Sequence, residues 1–264
     1  MKADRLLTTV LTTTEDSIGT ITLNHGRVNP LSRQLIDDIC IALERMKSDS
    51  VQVVILRAPR DAKVFSAGHD VRELPTNGRD PLTYNDPLRQ VVRIIETHPA
   101  PIIAMVEGSV WGGACELVMG CDVVVAASDA TFALTPGRLG IPYNLSGTLS
   151  FLKVAGMHLV KEMLFTAQPV TAGRLAAAGV INHVVPREGL ESFTLTLAKR
   201  MTETSPLVQR ILKEELRVLA NAHPLNPEAY ERIQALRREV YDSNDYQEGI
   251  RAFFEKRKPV FRGQ

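Results

Sequence analysis

Three times the chain runs an apolar, β-branched stretch into a turn of small residues and on into a helical pattern. The units cover residues 51–74, 101–119 and 121–151. "VQVVILRA" precedes "VFSAGHD", "PIIAMVEG" precedes "SVWGGACELVMG", and "CDVVVAAS" precedes the Gly/Pro-rich "TFALTPGRLGIPYNLSG". Apolar runs this short fit buried strands, and here each leads through small residues into a helical pattern. The repeat therefore commits the chain to an α/β fold. Its spacing is uneven, so it is a weak repeat rather than a solenoid.

The flanks agree with this class. "GTITLN" (19–24) alternates and reads as a strand entering a turn. In "LSRQLIDDICIALERMKSD", Ser32 is placed to cap a helix whose apolar face is Leu35, Ile36, Ile39, Leu43 and Met46. "LRQVVRIIETH" is helical and stops before Pro99. The polar, turn-rich stretch 77–87 reads either as a loop over a site or as a plain surface loop. Beyond about residue 195 the pattern is helical throughout. The expected organisation is a β-rich core over 1–195 and a helical part over 196–264.

At 264 residues the chain fits one large domain with a helical appendage. Lys and Arg number 31 against 30 Asp and Glu, a formal net charge of +1, which argues against a nucleic-acid partner bound through bulk positive charge. No run of about 18 apolar residues is present, so no membrane-spanning helix is expected. The N-terminal stretch has neither the apolar core of a signal peptide nor the composition of a transit peptide. Cys40, Cys115 and Cys121 are odd in number and show no zinc spacing, which points to a reducing, cytoplasmic setting and no structural metal. His25, His98, His158, His183 and His223 show no ligand spacing and are expected to be structural.

The chemistry sits in two turns. Gly112 and Gly113 lie where a strand becomes a helix, and helix N-termini expose unpaired N–H groups with partial positive charge. Taken alone, they are also what a tight turn with positive φ requires. The earlier turn "SAGH" is a second such place. Two backbone donors from two turns can hold one carbonyl oxygen. The His69 side chain is a second possibility there, as a general base, while Asp70 is placed to cap the following turn.

"KVFSAGHD" and "VEGSVWGGACELVMGCDVVVAAS" resemble the two halves of the oxyanion hole of the crotonase (enoyl-CoA hydratase/isomerase) superfamily. "TAGRLAAAGVINHVV" (171–185) and "FFEKRKPVF" (253–261) are similar to later patterns of the same superfamily, and the resemblance spans nearly the whole chain. It implies a spiral of ββα units with a C-terminal helical region that makes a homotrimer or a homohexamer. It also implies that the N–H groups of His69 and Gly113 bind the thioester oxygen of an acyl-CoA, which is substrate rather than a separate cofactor. Arg27, Lys63, Ala67, Gly112 and Lys256 are the implied contacts to the CoA portion.

Hydratases of the superfamily use two glutamates. Glu116 stands at one position, but Pro136 occupies the other, and no Asp or Glu occurs between Asp129 and Glu162. Paired-carboxylate hydration is therefore not expected, and Glu116 either acts alone as acid/base or complements the helix dipole. Among superfamily members the stretches "GRDPL", "WGGA" and "PYNL" resemble those that decarboxylate malonyl-type thioesters. The implied reaction is (methyl)malonyl-CoA to propionyl-CoA or acetyl-CoA plus CO₂ through an enolate. Tyr143 is the implied neutral donor to the departing carboxylate, and packing beside Pro142 is its plain alternative. Trp111 either packs or lines the acyl pocket.

Overall fold

The computed structural model describes residues 6–49, 51–74, 86–220 and 227–262. Its frame is a six-stranded sheet in the order β1-β2-β3-β5-β7-β10. The strands are β1 (Val10–Glu15), β2 (Ile18–Leu23), β3 (Val53–Arg57), β5 (Ile102–Val106), β7 (Val123–Ala127) and β10 (His183–Val185). β1 pairs antiparallel with β2, and every other pairing is parallel. β3 and β5 are buried at every position, as their apolar runs predicted. A smaller sheet holds β4 (Val64–Ser66), β6 (Ser109–Trp111), β8 (Thr131–Ala133) and β9 (Val170–Thr171).

The three repeats are ββα units. Each sends one strand into the large sheet (β3, β5, β7) and the next into the small one (β4, β6, β8) before turning helical. The helical pieces are a 3₁₀ turn at Val71–Glu73, then α3 (Gly113–Met119), then a 3₁₀ turn at Pro136–Leu139. Successive units stack in parallel register, with Val64 opposite Ser109 and Ser109 opposite Thr131. The second strand of each unit was hidden in the sequence by its length of three residues.

α1 (Arg33–Ser48) is capped by Ser32, whose hydroxyl accepts from the Leu35 N–H, and the five apolar residues of its predicted face are all buried. α2 (Pro87–Thr97) starts at a cap made by Asp86 and ends before Pro99. The polar stretch 77–87 lies outside the described residues as far as 85, and so does His223. α4 (Leu145–Val154), α5 (Met157–Thr166) and α6 (Ala172–Ala177) follow the third unit.

The boundary expected near residue 195 falls inside a helix. α7 (Leu190–Thr202) runs unbroken through it, buries Leu190, Thr194 and Ala198, and packs on β2, β3, β5 and β7. A helix whose buried stripe covers the main sheet belongs to the core. The character of the chain changes after α7. α8 (Pro206–Ala220) has no buried residue, and Leu207, Val208, Ile211, Leu212, Leu216 and Leu219 are exposed along it. Its polar anchor is Lys213, whose Nζ donates to the Ile95 carbonyl at 2.9 Å and to Asp122 Oδ2 at 2.7 Å. α9 (Pro227–Tyr241) and α10 (Asn244–Phe254) complete the described chain, with Tyr241 and Tyr246 packed with Leu74 and Ile141 in a second apolar cluster. No helix among the described residues is long and apolar enough to cross a membrane.

Candidate active site

The register of the small sheet brings the two predicted turns together. Ser66 of β4 lies opposite Val110 of β6, so the chain leaving β4 as Ala67–His69 runs beside the chain leaving β6 as Gly112–Gly113. A Cβ built on Gly113 would lie 3.7 Å from the His69 nitrogen. A Cβ on Gly68 would overlap the Trp111 carbonyl oxygen and lie 3.2 Å from the Gly113 nitrogen. Gly68 and Gly112 both have positive φ, +83° and +51°; Gly68 needs glycine for space and conformation alike, Gly112 for conformation.

Leu31 fixes the first turn. It forms an isolated parallel bridge with His69, its N–H donating to the Gly68 carbonyl at 2.8 Å and its carbonyl accepting from the Asp70 N–H. The His69 N–H is on the other side of that bridge. The Gly113 N–H opens α3 and has no intrahelical acceptor. Among the described residues neither N–H donates to a protein acceptor.

Both turns open on a cavity of about 730 Å³. Ala67, His69, Gly112, Gly113, Glu116 and Tyr143 all line it, so six of the nine residues singled out from the sequence meet at one place. Leu88, Trp111, Thr135, Pro136, Ile141 and Leu139 supply much of the remaining wall, and Phe253 and Phe254 of α10 reach it from the C-terminal side. α10 is seated there by close packing at Gly249, where a Cβ would overlap the Leu139 carbonyl. Arg27, Lys63 and Lys256 do not line the cavity. They are exposed, next to or near lining residues Val28, Val64 and Phe254. Trp111 takes the lining alternative, with its indole N–H donating to the Ser109 hydroxyl at 2.8 Å.

The Tyr143 hydroxyl donates to the Gly112 carbonyl at 3.1 Å. The ring meets Phe151 edge-on at 5.3 Å, so the packing alternative and the polar one are both realised. Burial, reinforced by the nearby Glu116 charge, pushes its pKa well above the usual tyrosine value, which keeps the hydroxyl protonated and a donor.

Asp70 caps the 3₁₀ turn as expected, accepting from the Arg72 N–H, and it also pairs with the Arg72 guanidinium. That guanidinium holds the Asp70 carboxyl below the usual carboxylate range. The His69 imidazole has a buried, unpartnered Nδ1 among the described residues.

Glu116 is fully buried, and one residue absent from the sequence reading accounts for it. Arg89, in the first turns of α2 and also buried, donates from Nη1 to Glu116 Oε1. Glu116 Oε2 lies toward Tyr143 and Gly147 without a partner among the described residues. Burial pushes the Glu116 pKa up, while the Arg89 charge and hydrogen bond oppose that rise. The carboxylate therefore does more than complement a helix dipole: it is half of a buried ion pair on the cavity wall.

The comparisons with known proteins cover the same ground. A family model described as enoyl-CoA hydratase/isomerase matches residues 13–264. Methylmalonyl-CoA decarboxylase of Escherichia coli K12 is 54% identical over 251 residues, which is 95% of this chain and 96% of the relative. Two solved structures of methylmalonyl-CoA decarboxylase, one in complex with 2-nitronate-propionyl-CoA and one with 2S-carboxypropyl CoA, each align with a TM-score of 0.96 at 52% identity, covering 98% of this chain and all of theirs. Since the family match takes in both donor turns, the cavity wall and the C-terminal helix together, the chain belongs to the enoyl-CoA hydratase/isomerase, or crotonase, family.

Proposed function

We propose that this protein is a carbon–carbon lyase that decarboxylates methylmalonyl-CoA to propionyl-CoA through an enolate. The carrying observation is the meeting of two backbone N–H groups, His69 and Gly113, without an acceptor among the described residues, in a cavity where Pro136 stands at the place of the hydratases' second glutamate. The identity to Escherichia coli methylmalonyl-CoA decarboxylase, and the CoA ligands of the solved relatives, support the same substrate class.

The two N–H groups act as an oxyanion hole. When the bond to the carboxylate breaks, its electron pair moves onto the thioester, and charge grows on the oxygen facing these donors. The bond must stand perpendicular to the thioester plane for that transfer. A neutral donor suits the departing carboxylate, because its charge leaves as CO₂ forms and a fixed cation would stabilise the ground state more than the transition state. Tyr143 is that donor in this reading. Its hydroxyl donates to the Gly112 carbonyl on the cavity wall, and in this reading it turns to the substrate carboxylate. No metal or organic cofactor enters the scheme, CoA being part of the substrate. Arg27, Lys63 and Lys256 at the rim contact the CoA phosphates.

The exposed apolar residues of α8 support assembly of this chain into a homotrimer or homohexamer, which light scattering on the purified protein tests. Three free thiols fit a cytoplasmic setting. The decisive experiment incubates the protein separately with methylmalonyl-CoA and crotonyl-CoA and follows products by mass. Propionyl-CoA is expected from the first and no comparable hydration of the second. Hydration as fast as decarboxylation sinks the assignment in favour of a hydratase using Glu116.

A further inference from the structure

Both carboxylates that line the cavity are held by an arginine. Asp70 takes a side-chain hydrogen bond from Arg72 Nε at 2.8 Å, and Glu116 takes one from Arg89. The two pairs differ in setting. Arg72 is largely exposed, whereas Arg89 and Glu116 are 8% and 0% exposed. A buried guanidinium costs desolvation energy that a packed apolar side chain at the same place would avoid. Arg89 also interrupts the apolar stripe of α2 formed by Leu88, Val91, Val92 and Ile95. Its Nε and Glu116 Oε2 both remain without hydrogen-bond partners among the described residues.

We infer that Arg89 is a specificity-determining positioning residue, which by clamping Glu116 keeps that carboxylate out of proton-transfer chemistry at the acyl carbon. The inference rests on the acyl-CoA enolate reading given above and deepens it. The cavity already stabilises a thioester enolate. A carboxylate on its wall that is free to gain and lose a proton would abstract hydrogen from the carbon next to the thioester, or return it, whether or not CO₂ had left. The Arg89 charge and hydrogen bond oppose the rise that burial gives the Glu116 pKa, so beside the guanidinium the carboxylate is a weaker base than burial alone would make it, and one of its oxygens is already engaged.

The other groups around Glu116 do not replace the clamp. Asp86 at the start of α2 is a buried carboxylate and opposes its ionisation. Asn144 and Tyr143, at the entry to α4, are neutral donors. β6, packed on α3, contributes Ser109, Val110 and Trp111 and no titrating side chain. His69, on the neighbouring turn, faces the Asp86 and Asp70 charges. Arg89 is thus the one fixed cation facing this carboxylate among the described residues.

The test is exchange of the C2 hydrogens of propionyl-CoA with D₂O, read by mass spectrometry. In the exchange step Glu116 takes the proton, the C–H electron pair passes to the thioester oxygen, and a deuteron returns to the carbon from the same carboxyl after it equilibrates with solvent. Wild type is expected to exchange slowly. Arg89→Met and Arg89→Gln are expected to exchange on the order of 10²-fold faster, the lower range for general acid–base assistance. Without its cation, Glu116 ionises at a higher pH, so the exchange rate of both variants should climb with pH through that ionisation. Arg89→Lys keeps the charge and should stay near the wild-type rate. The double variant Arg89→Met/Glu116→Gln should lose the gain.

Arg89→Gln carries the test if the Met variant fails to fold. Exchange no faster than wild type in a folded neutral variant overturns the inference, and so does a gain that survives Glu116→Gln. Failure of the wild type to decarboxylate methylmalonyl-CoA is a separate result, which removes the underlying reading instead.

Discussion

Gly68→Ala separates the function of the two turns from their stability. At φ +83° an alanine pays the left-handed penalty, about 1–2 kcal/mol. Its methyl also meets backbone rather than a flexible side chain: the Trp111 carbonyl, with the Gly113 nitrogen 3.2 Å away. Relief requires the β4 and β6 turns to move apart by something on the order of 1 Å, a misplacement that costs about 10²-fold where reacting groups must be aligned. The donors to be separated are the His69 and Gly113 N–H groups themselves. The expected result is a fall in kcat of about 10²-fold in methylmalonyl-CoA decarboxylation, with the protein still folded by circular dichroism. Gly179→Ala is the control. Gly179 has a similar φ, +76°, and open space where its Cβ would go, so it should pay the left-handed penalty alone and keep its activity. If Gly68→Ala retains near-wild-type kcat, the juxtaposed turns are not the oxyanion hole. If Gly179→Ala is as inactive, the loss came from destabilisation and the geometric argument fails.

Three other outcomes follow from the same geometry. His69→Ala should keep much of the activity because its N–H remains, while His69→Pro has none to donate and should lose on the order of 10²–10³ in rate; equal damage from both makes the imidazole chemical. Tyr143→Phe removes one hydrogen bond to a charged group, roughly 1.5–3 kcal/mol, or about 10- to 150-fold in decarboxylation rate. Propionyl-CoA, lacking the carboxylate, should bind nearly unchanged, and an unaffected rate would mean that Tyr143 only packs. For His98, burial holds the folded-state pKa below the ordinary 6.5. Its unfolded state therefore binds the proton first, so stability is lost as pH falls below about 6.5 toward the folded pKa, by at most about 1.4 kcal/mol per pH unit. Thermal melts from pH 8 to 5 should show a shallower decline in His98→Gln, and parallel declines refute the assignment.

What the sequence discloses follows from how far apart the cooperating residues are. β3 and β5 are legible because a strand covered on both faces is apolar along almost its whole length, Arg57 at the end of β3 being the one exception. β4, β6 and β8 are three residues each, too short for any periodicity, and they exist because neighbouring units stack them. β1 escapes for the opposite reason: "VLTTTE" exposes all but its first residue and is held in the sheet by pairing with β2. The donor turns could be found because their requirement is local, a glycine at positive φ where a strand gives way to a helix. Arg89 could not. It sits one position from Leu88 in an amphipathic helix, where an arginine ordinarily marks the solvent side, and its partner Glu116 is 27 residues away on another helix. Local rules state which backbone atoms can reach a substrate. Which side chains are paired around them depends on contacts that only the packed spiral creates, as the burial of Glu116 against Arg89 shows.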